Sequence, residues 1–561
     1  MFFDTNPVEY IKTRWAGIGA PVRRTFVVSY LSAIVAHLYV LTNKFFNYFE
    51  MGNIFTHMPF SQEDSLGLGR WFMPVATNLL TYFSMPLVNG LVVFLMLAVS
   101  AALIVDMLEI KSSAYGVLFG LIFVTFPGLA SIMSYGVNCD LFSSALLLSV
   151  LSGYLFVRSL RQNKWVRGVI LGAIPLSLSL ACYQPYMSVT IGMLYMMLFM
   201  QVYRKRTDLK TFIPMVFKSV LMLAAGFILY YVILKIMLTV TGISLSDYHG
   251  VDSMTSFTPK GIAKGFVYSY LHFIKYFFTT EYTYTIGRIV CNCIGAATFA
   301  ALLFRRMRVN RGAVHKGSDA TADKTYLVRD RMTNALLLIL FLYLPLGVNA
   351  SPFLMADRVG AGVDRYMIYS LMFLWALLLA MMDDNTDENT AQLTKSRKNL
   401  LQWLGGFSVI CAIVTGLIIT NQAYHRLEAT TQATEGLMVR MAARMEQTEG
   451  WNKDIPVYFV NPRNMVNSNY GPEVTDYRNL TNLPGTFLRA GYGEEAIAGY
   501  MNTYLRFPVK LATEEEIARV EANPAFGKLK AYPDASAVQI IDGVMVVKVS
   551  EGETDADLEE N

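Results

Sequence analysis

The chain has 561 residues, of which 54% are hydrophobic and only 16% charged, with a mean hydropathy of +0.38. A soluble domain carries about a quarter charged residues, so this deficit excludes an ordinary soluble protein and points to lipid. The net charge of +5 follows from membrane topology, and nucleic acid is excluded as a partner.

Residues 1–24 (MFFDTNPVEYIKTRWAGIGAPVRR) have no continuous apolar core, so no cleavable signal peptide is expected. Phe2, Phe3, Tyr10, Ile11 and Trp15 suit an amphipathic piece lying on the inner membrane surface. A membrane span needs roughly 20 apolar residues, and about eleven runs qualify. They fall near 25–42, 84–108, 114–134, 141–159, 169–184, 186–203, 214–238, 284–304, 332–349, 365–382 and 400–421. The fold class is therefore an α-helical polytopic membrane protein, with residues 25–421 as its membrane domain.

Lys and Arg set the orientation. Arg23-Arg24, Arg161 to Arg167, Arg204-Lys205-Arg206 and the group Arg305, Arg306, Arg308 and Arg311 fall in one set of loops. The opposite loops hold few cations apart from Lys44, Arg70, Lys260, Lys264, Lys275, Arg358 and Arg365. The N-terminus is then cytoplasmic in a bacterial inner membrane, and everything after residue 421 is extracytoplasmic. Three extracytoplasmic segments break the apolar pattern. Within 43–83, residues 71–83 read as a short re-entrant or interfacial helix, and an aromatic interface helix is expected after Pro259. Residues 422–550 read as a small α/β domain. There, IPVYFVN is a strand candidate, Thr513 an N-cap, and Asp542-Gly543 the turn of a hairpin. Residues 551–561 form an acidic tail.

Most ionisable residues sit at the outer rim. Glu50 lies among Phe45, Phe46, Tyr48 and Phe49, where a carboxylate with restricted solvation can act as base toward a sugar hydroxyl; the alternative is an acid that faces water. Glu63 and Asp64 either cap their segment, hold a divalent cation or form a solvated turn. Arg70 offers a fork matched to phosphate oxygens, or it snorkels with Trp71 as an anchor. Asn138-Cys139-Asp140 occupies a short outer loop, where Asp140 either caps the following span or meets the first loop. Tyr183 and Gln184 stand at another outer turn; Tyr183 fits an aromatic belt, and Gln184 is a polar residue in a tight apolar turn. Arg358 and Arg365 suit a lipid phosphate, or each pairs with its neighbouring aspartate. His37, inside the first span, is a functional candidate or a neutral histidine bonded to a neighbouring helix.

No Walker loop, Rossmann fingerprint, HExxH motif or dense intramembrane carboxylate relay is present. Chemistry on the outer face therefore ranks above transport through the bundle. Because nucleotide sugars are absent there, an outer-face transferase needs a lipid-linked donor. Two other classes remain open: a flippase or exporter of lipid-linked glycans, and a non-catalytic envelope-assembly protein.

The blocks FNYFEMGN and SLGLGRW, the YGVNCD mouth and the LACYQPYMS turn resemble the glucosyl transferase family of serotype-converting, O-antigen-modifying membrane proteins, over about residues 20–420. The resemblance implies a GT-C-type glycosyltransferase that moves glucose from a polyprenyl-phosphate-linked donor to a surface polysaccharide on the outer face. By position it implies that Glu50 is the acidic first-loop site, Arg70 the Gly-Arg element and Gln184 part of the Tyr-Gln turn. The family's acidic site often holds two adjacent acids. Here Phe49 precedes Glu50, a departure from a two-carboxylate or metal-dependent mechanism.

Overall fold

The structure is a computed structural model that describes residues 6–45, 62–77, 84–246, 258–308, 320–354, 363–384, 395–462, 480, 483 and 493–551. Glu50 and Arg358 lie outside the described residues. The expected apolar runs become helices because they carry long stretches of apolar residues whose backbone groups must bond internally in lipid. In chain order these are α1 (Pro7–Gly17), α2 (Ala20–Ala36), α3 (Leu38–Thr42), α4 (Gln62–Gly67), α5 (Met73–Thr77), α6 (Pro86–Met107), α7 (Ser113–Val124), α8 (Gly128–Ser134), α9 (Cys139–Arg161) and α10 (Trp165–Leu180). Next come α11 (Met187–Tyr203), α12 (Leu209–Thr241), α13 (Pro259–Phe278), α14 (Thr280–Thr283), α15 (Ile286–Arg308), α16 (Ala320–Leu342), α17 (Leu344–Val348), α18 (Ser351–Leu354), α19 (Phe373–Asp384) and α20 (Lys395–Glu446).

Among the described residues, seven helices are long and apolar enough to cross a membrane, or eight if the pair α7 and α8, bent by 51°, forms one span. Several expected spans are shorter or broken. The first is interrupted at His37 between α2 and α3, and the fifth, α10, has 16 residues. The break at His37 is held by partners far along the chain: its Nδ1 meets the Tyr424 hydroxyl at 2.5 Å and its Nε2 the Val124 carbonyl at 2.9 Å. A carbonyl only accepts, so Nε2 carries the proton and Nδ1 takes the Tyr424 O–H. This is the neutral, helix-bonded alternative.

Hydroxyls join the central helices where the side chains are apolar. Ser149 on α9 donates to the Tyr186 carbonyl at 2.7 Å, Ser179 on α10 donates to Ala145 O at 2.8 Å, and Thr190 on α11 donates to Ser149 O at 3.0 Å. In lipid such bonds replace the hydrophobic driving force that helices lack toward each other. The chain directions define two rims. Over 23 residues α9 runs about 35 Å from Asp140 to Arg161, and α19 and α6 end at the Arg161 side. At that side Glu109 meets Arg161 at 3.1 Å, Arg204 at 3.4 Å and Arg206 at 2.5 Å, while Arg204 also reaches Asp384 at 2.7 Å.

Helix α20 has 52 residues, about 78 Å, and so runs well past a bilayer core. Its far end supplies Met438, Met441 and Met445 to an apolar cluster with Val457, Ile497 and Met501. The strands there are β1 (Pro456–Val460), β2 (Lys510–Leu511), β3 (Val538–Ile541) and β4 (Val544–Lys548), in the order β2-β1-β4-β3. β1 pairs parallel with β2 and β4, and β3 with β4 is an antiparallel hairpin. The hairpin closes through Asp542 and Gly543, both at positive φ (47° and 80°), the backbone that a two-residue hairpin turn demands. Thr513 caps the helix Glu514–Glu521 with a reciprocal Glu516 bond.

Candidate functional site

The segment Leu66–Met73 is fastened by three main-chain carbonyls and their partners, two bonds to the 181–186 turn and one to α12. Gln184 Nε2 donates to Leu68 O at 2.8 Å, the Tyr230 hydroxyl of α12 donates to Gly69 O at 2.9 Å, and the Phe72 N–H donates to Ala181 O at 3.1 Å. The strap turns at Gly69, whose φ of +68° lies where a side chain would be strained. It fixes the backbone on both sides of Arg70. The Arg70 guanidinium then lies over the Tyr183 ring, 5.2 Å from its centroid, with Nε buried and without a hydrogen-bond partner among the described residues.

Opposite stands the start of α9. Asn138 occupies the N-cap position, and Asp140 follows in the first turn at 1% exposure. The Leu141 N–H donates to Asp140 Oδ1 at 2.9 Å, so the carboxylate satisfies one of the donors that a helix start leaves open. The preceding turn is held from α6, where Asn89 Nδ2 donates to Gly136 O at 2.5 Å. The Tyr183 ring beneath Arg70 also packs on Phe142, two residues after Asp140 on α9, so the cation and the acid lie on the same rim. Aromatic rings fill the remainder: Phe142 packs on Tyr183 at 5.0 Å and on Tyr366 at 5.2 Å, and Tyr183 meets Tyr186 at 5.2 Å.

Besides Arg70 Nε, buried Trp71 Nε1, Asn138 Oδ1 and the Tyr186 hydroxyl make no hydrogen bond among the described residues. Buried polar atoms are almost always paired, so orphans gathered along one rim mark a place for water or a polar ligand. Arg365 is fully buried on the same rim, next to Tyr366. Its guanidinium stacks 4.5 Å above Tyr282, and Nη2 donates to the Glu281 carbonyl at 3.2 Å. Its backbone lies so close to α8 that a Cβ on Gly128 would stand 2.8 Å from the Arg365 carbonyl oxygen.

The structure thus brings Arg70, Trp71, Asn138, Asp140, Tyr183 and Gln184 together. Gln184 acts through its amide on the strap. Glu63 and Asp64 are exposed in the first turn of α4. Among the described residues no three His, Cys, Asp or Glu side chains are grouped to hold a metal ion. Sequence reasoning missed Asn89 and Tyr230. The available signal was a polar side chain inside an apolar run, NG in MPLVNGLVVF and YY in GFILYYVILK.

No curated protein and no solved structure matches the chain. A family model described as "Glucosyl transferase GtrII" matches residues 38–357, more than half of the chain, and this stretch contains the strap, the α9 mouth and the Tyr183 turn. The chain belongs to the GtrII glucosyl transferase family.

Proposed function

We propose that this glucosyltransferase uses the Arg70–Asp140 rim to move glucose from a polyprenyl-phosphate-linked donor to a surface polysaccharide on the extracytoplasmic face. The observation that carries the reading is the buried Nε of Arg70, without a hydrogen-bond partner among the described residues and held over Tyr183, whose ring also packs on the start of α9 that carries Asp140. A prenyl phosphate fits an arginine at a rim open to lipid. The guanidinium fork matches phosphate oxygens and stabilises the charge that grows on the leaving phosphate.

In the proposed inverting step, a carboxylate takes the proton of the acceptor hydroxyl as that oxygen attacks the anomeric carbon. The bond from that carbon to the phosphate oxygen breaks, and polyprenyl phosphate departs with its electron pair. Asp140 supplies the base within the described residues, and Glu50 is the second candidate. Arg365 and Arg358 are further candidates for the phosphate, and Trp71, Tyr183 and Asn138 for the sugar. The GT-C architecture, the inner-membrane location and the extracytoplasmic C-terminal domain belong to the same reading. Excess Lys and Arg on the Arg161 side of the bundle supports them.

The test is a proteoliposome assay with radiolabelled polyprenyl-phosphoglucose and lipopolysaccharide acceptor. Sugar transfer that depends on the lipid donor is the expected result. Transfer from a nucleotide sugar alone, or passage of the labelled lipid across the bilayer without transfer, overturns the proposal.

A further inference from the structure

A cavity of about 660 Å³ opens at the other rim, where the α1–α2 elbow meets the ends of α6 and α9. Helix α1 buries no residue, yet Trp15 folds back onto Phe26 of α2 with ring centroids 5.8 Å apart, so the elbow forms one wall. The deeper walls are apolar, with Phe26, Val99, Leu103 and Val157. The mouth is basic: Arg23, Arg158 and Arg161 line it, against one carboxylate, Asp106.

The charges are not equally engaged. Asp106 Oδ2 accepts the Tyr154 hydroxyl at 2.7 Å, and Arg161 is committed to the Met107 carbonyl at 2.5 Å and to Glu109 at 3.1 Å. Among the described residues the Arg158 side chain has only a long 3.5 Å approach to the Tyr154 oxygen. The Arg23 side chain forms no hydrogen bond or ion pair among the described residues. Two arginines thus face a cleft whose interior is hydrocarbon and whose volume falls within the range of small-molecule sites. The cleft lies at the ends of two membrane-length helices, the level of a lipid headgroup.

We infer that this cleft binds an anionic glycerophospholipid, its phosphodiester between Arg23 and Arg158 and an acyl chain along Phe26, Leu103 and Val157. Apolar walls beneath a basic mouth match a molecule that carries charge and hydrocarbon together, which free phosphate does not. The site is separate from the Arg70–Asp140 rim and independent of the reaction assigned there. By holding the α1–α2 elbow to α6 and α9, the lipid fixes the N-terminal helix at the membrane surface.

Native mass spectrometry of the delipidated full chain tests the inference, with dioleoylphosphatidylglycerol, dioleoylphosphatidylcholine and inorganic phosphate titrated separately. The expected result is one tightly retained phosphatidylglycerol. Its affinity should fall at least about tenfold in Arg23→Gln/Arg158→Gln, as expected when charge-assisted phosphate bonds are lost. Leu103→Trp, which fills the cleft without changing its charge, should also release the lipid, and it decides the matter if the double variant misfolds. Equal retention of phosphatidylcholine, equal binding of inorganic phosphate, or unchanged phosphatidylglycerol affinity in the folded variants overturns the inference. Glucosyl transfer in phosphatidylcholine proteoliposomes should be unchanged in Arg23→Gln/Arg158→Gln, which separates this site from the proposed reaction.

Discussion

At 1% exposure Asp140 has little solvent to stabilise its carboxylate, and the Leu141 N–H with the open end of α9 takes over part of that task. A carboxylate so held is oriented by the helix start rather than by hydration, which suits proton transfer from a sugar hydroxyl. Asp140→Asn keeps the shape and should keep the fold, while the rate of glucosyl transfer should drop about 10²–10⁴-fold, the usual contribution of a general base. A transfer assay on folded variant protein measures it. If Glu50 is the base, Asp140→Asn will stay near wild type and Glu50→Gln will show the loss. For Arg70 the fork geometry matters as well as the charge. Arg70→Ala should lower the rate about 10²-fold, as loss of a donor to a developing anion does, and Arg70→Lys should recover only part of it, since the lysine ammonium is a point charge. Full activity in Arg70→Lys would show that charge alone suffices.

The elements that matter most for the site are the strap and the turn beneath it. Tyr230→Phe removes the bond to the Gly69 carbonyl but leaves the ring, and Gln184→Ala removes the bond to Leu68. Each bond is worth roughly 1 kcal/mol net, so each variant should lose about fivefold in kcat/KM while its donor preference is retained. Loss of donor preference in Gln184→Ala would show that the amide reads the sugar itself. At the other rim, burial alone would raise the Glu109 carboxyl, but Arg206, Arg161 and Arg204 together hold it below its usual value of 4.5. A depressed carboxylate pKa adds stability above the unfolded-state value and loses it as pH falls through the folded-state value. Wild type should therefore unfold at higher temperature than Glu109→Gln at neutral pH, by the equivalent of about 1 kcal/mol in a solvent-screened network. The gap should narrow below about pH 4.5. A gap that is constant with pH would remove the ion network as its cause.

On the scale of the whole molecule, long apolar runs made the helices legible, because lipid forces backbone groups to bond within each segment. The hairpin at Asp542-Gly543 and the Thr513 cap were legible because their turn chemistry is local. Arg70, Asn138, Asp140 and Gln184 could be nominated from residue type and position, but their convergence could not. It depends on Tyr230, 161 positions from Gly69, and on Asn89, 47 positions from Gly136. The break at His37 was hidden for the same reason: Tyr424, which holds it, lies 387 positions away. Among the described residues seven or eight helices reach the length and apolarity of a full span against the eleven expected runs, and α10 and the α7–α8 pair are among those that are apolar but short or bent.

Photocrosslinking with a diazirine-bearing polyprenyl-phosphoglucose, mapped by peptide mass spectrometry on the full-length protein in bilayers, tests donor binding at the rim most directly. Adducts within residues 66–73 and 181–187, competed by unlabelled donor and lost in Arg70→Ala, are the predicted result. Competable adducts concentrated instead around Glu109, Arg161 and Arg204, with none near Tyr183, would contradict it.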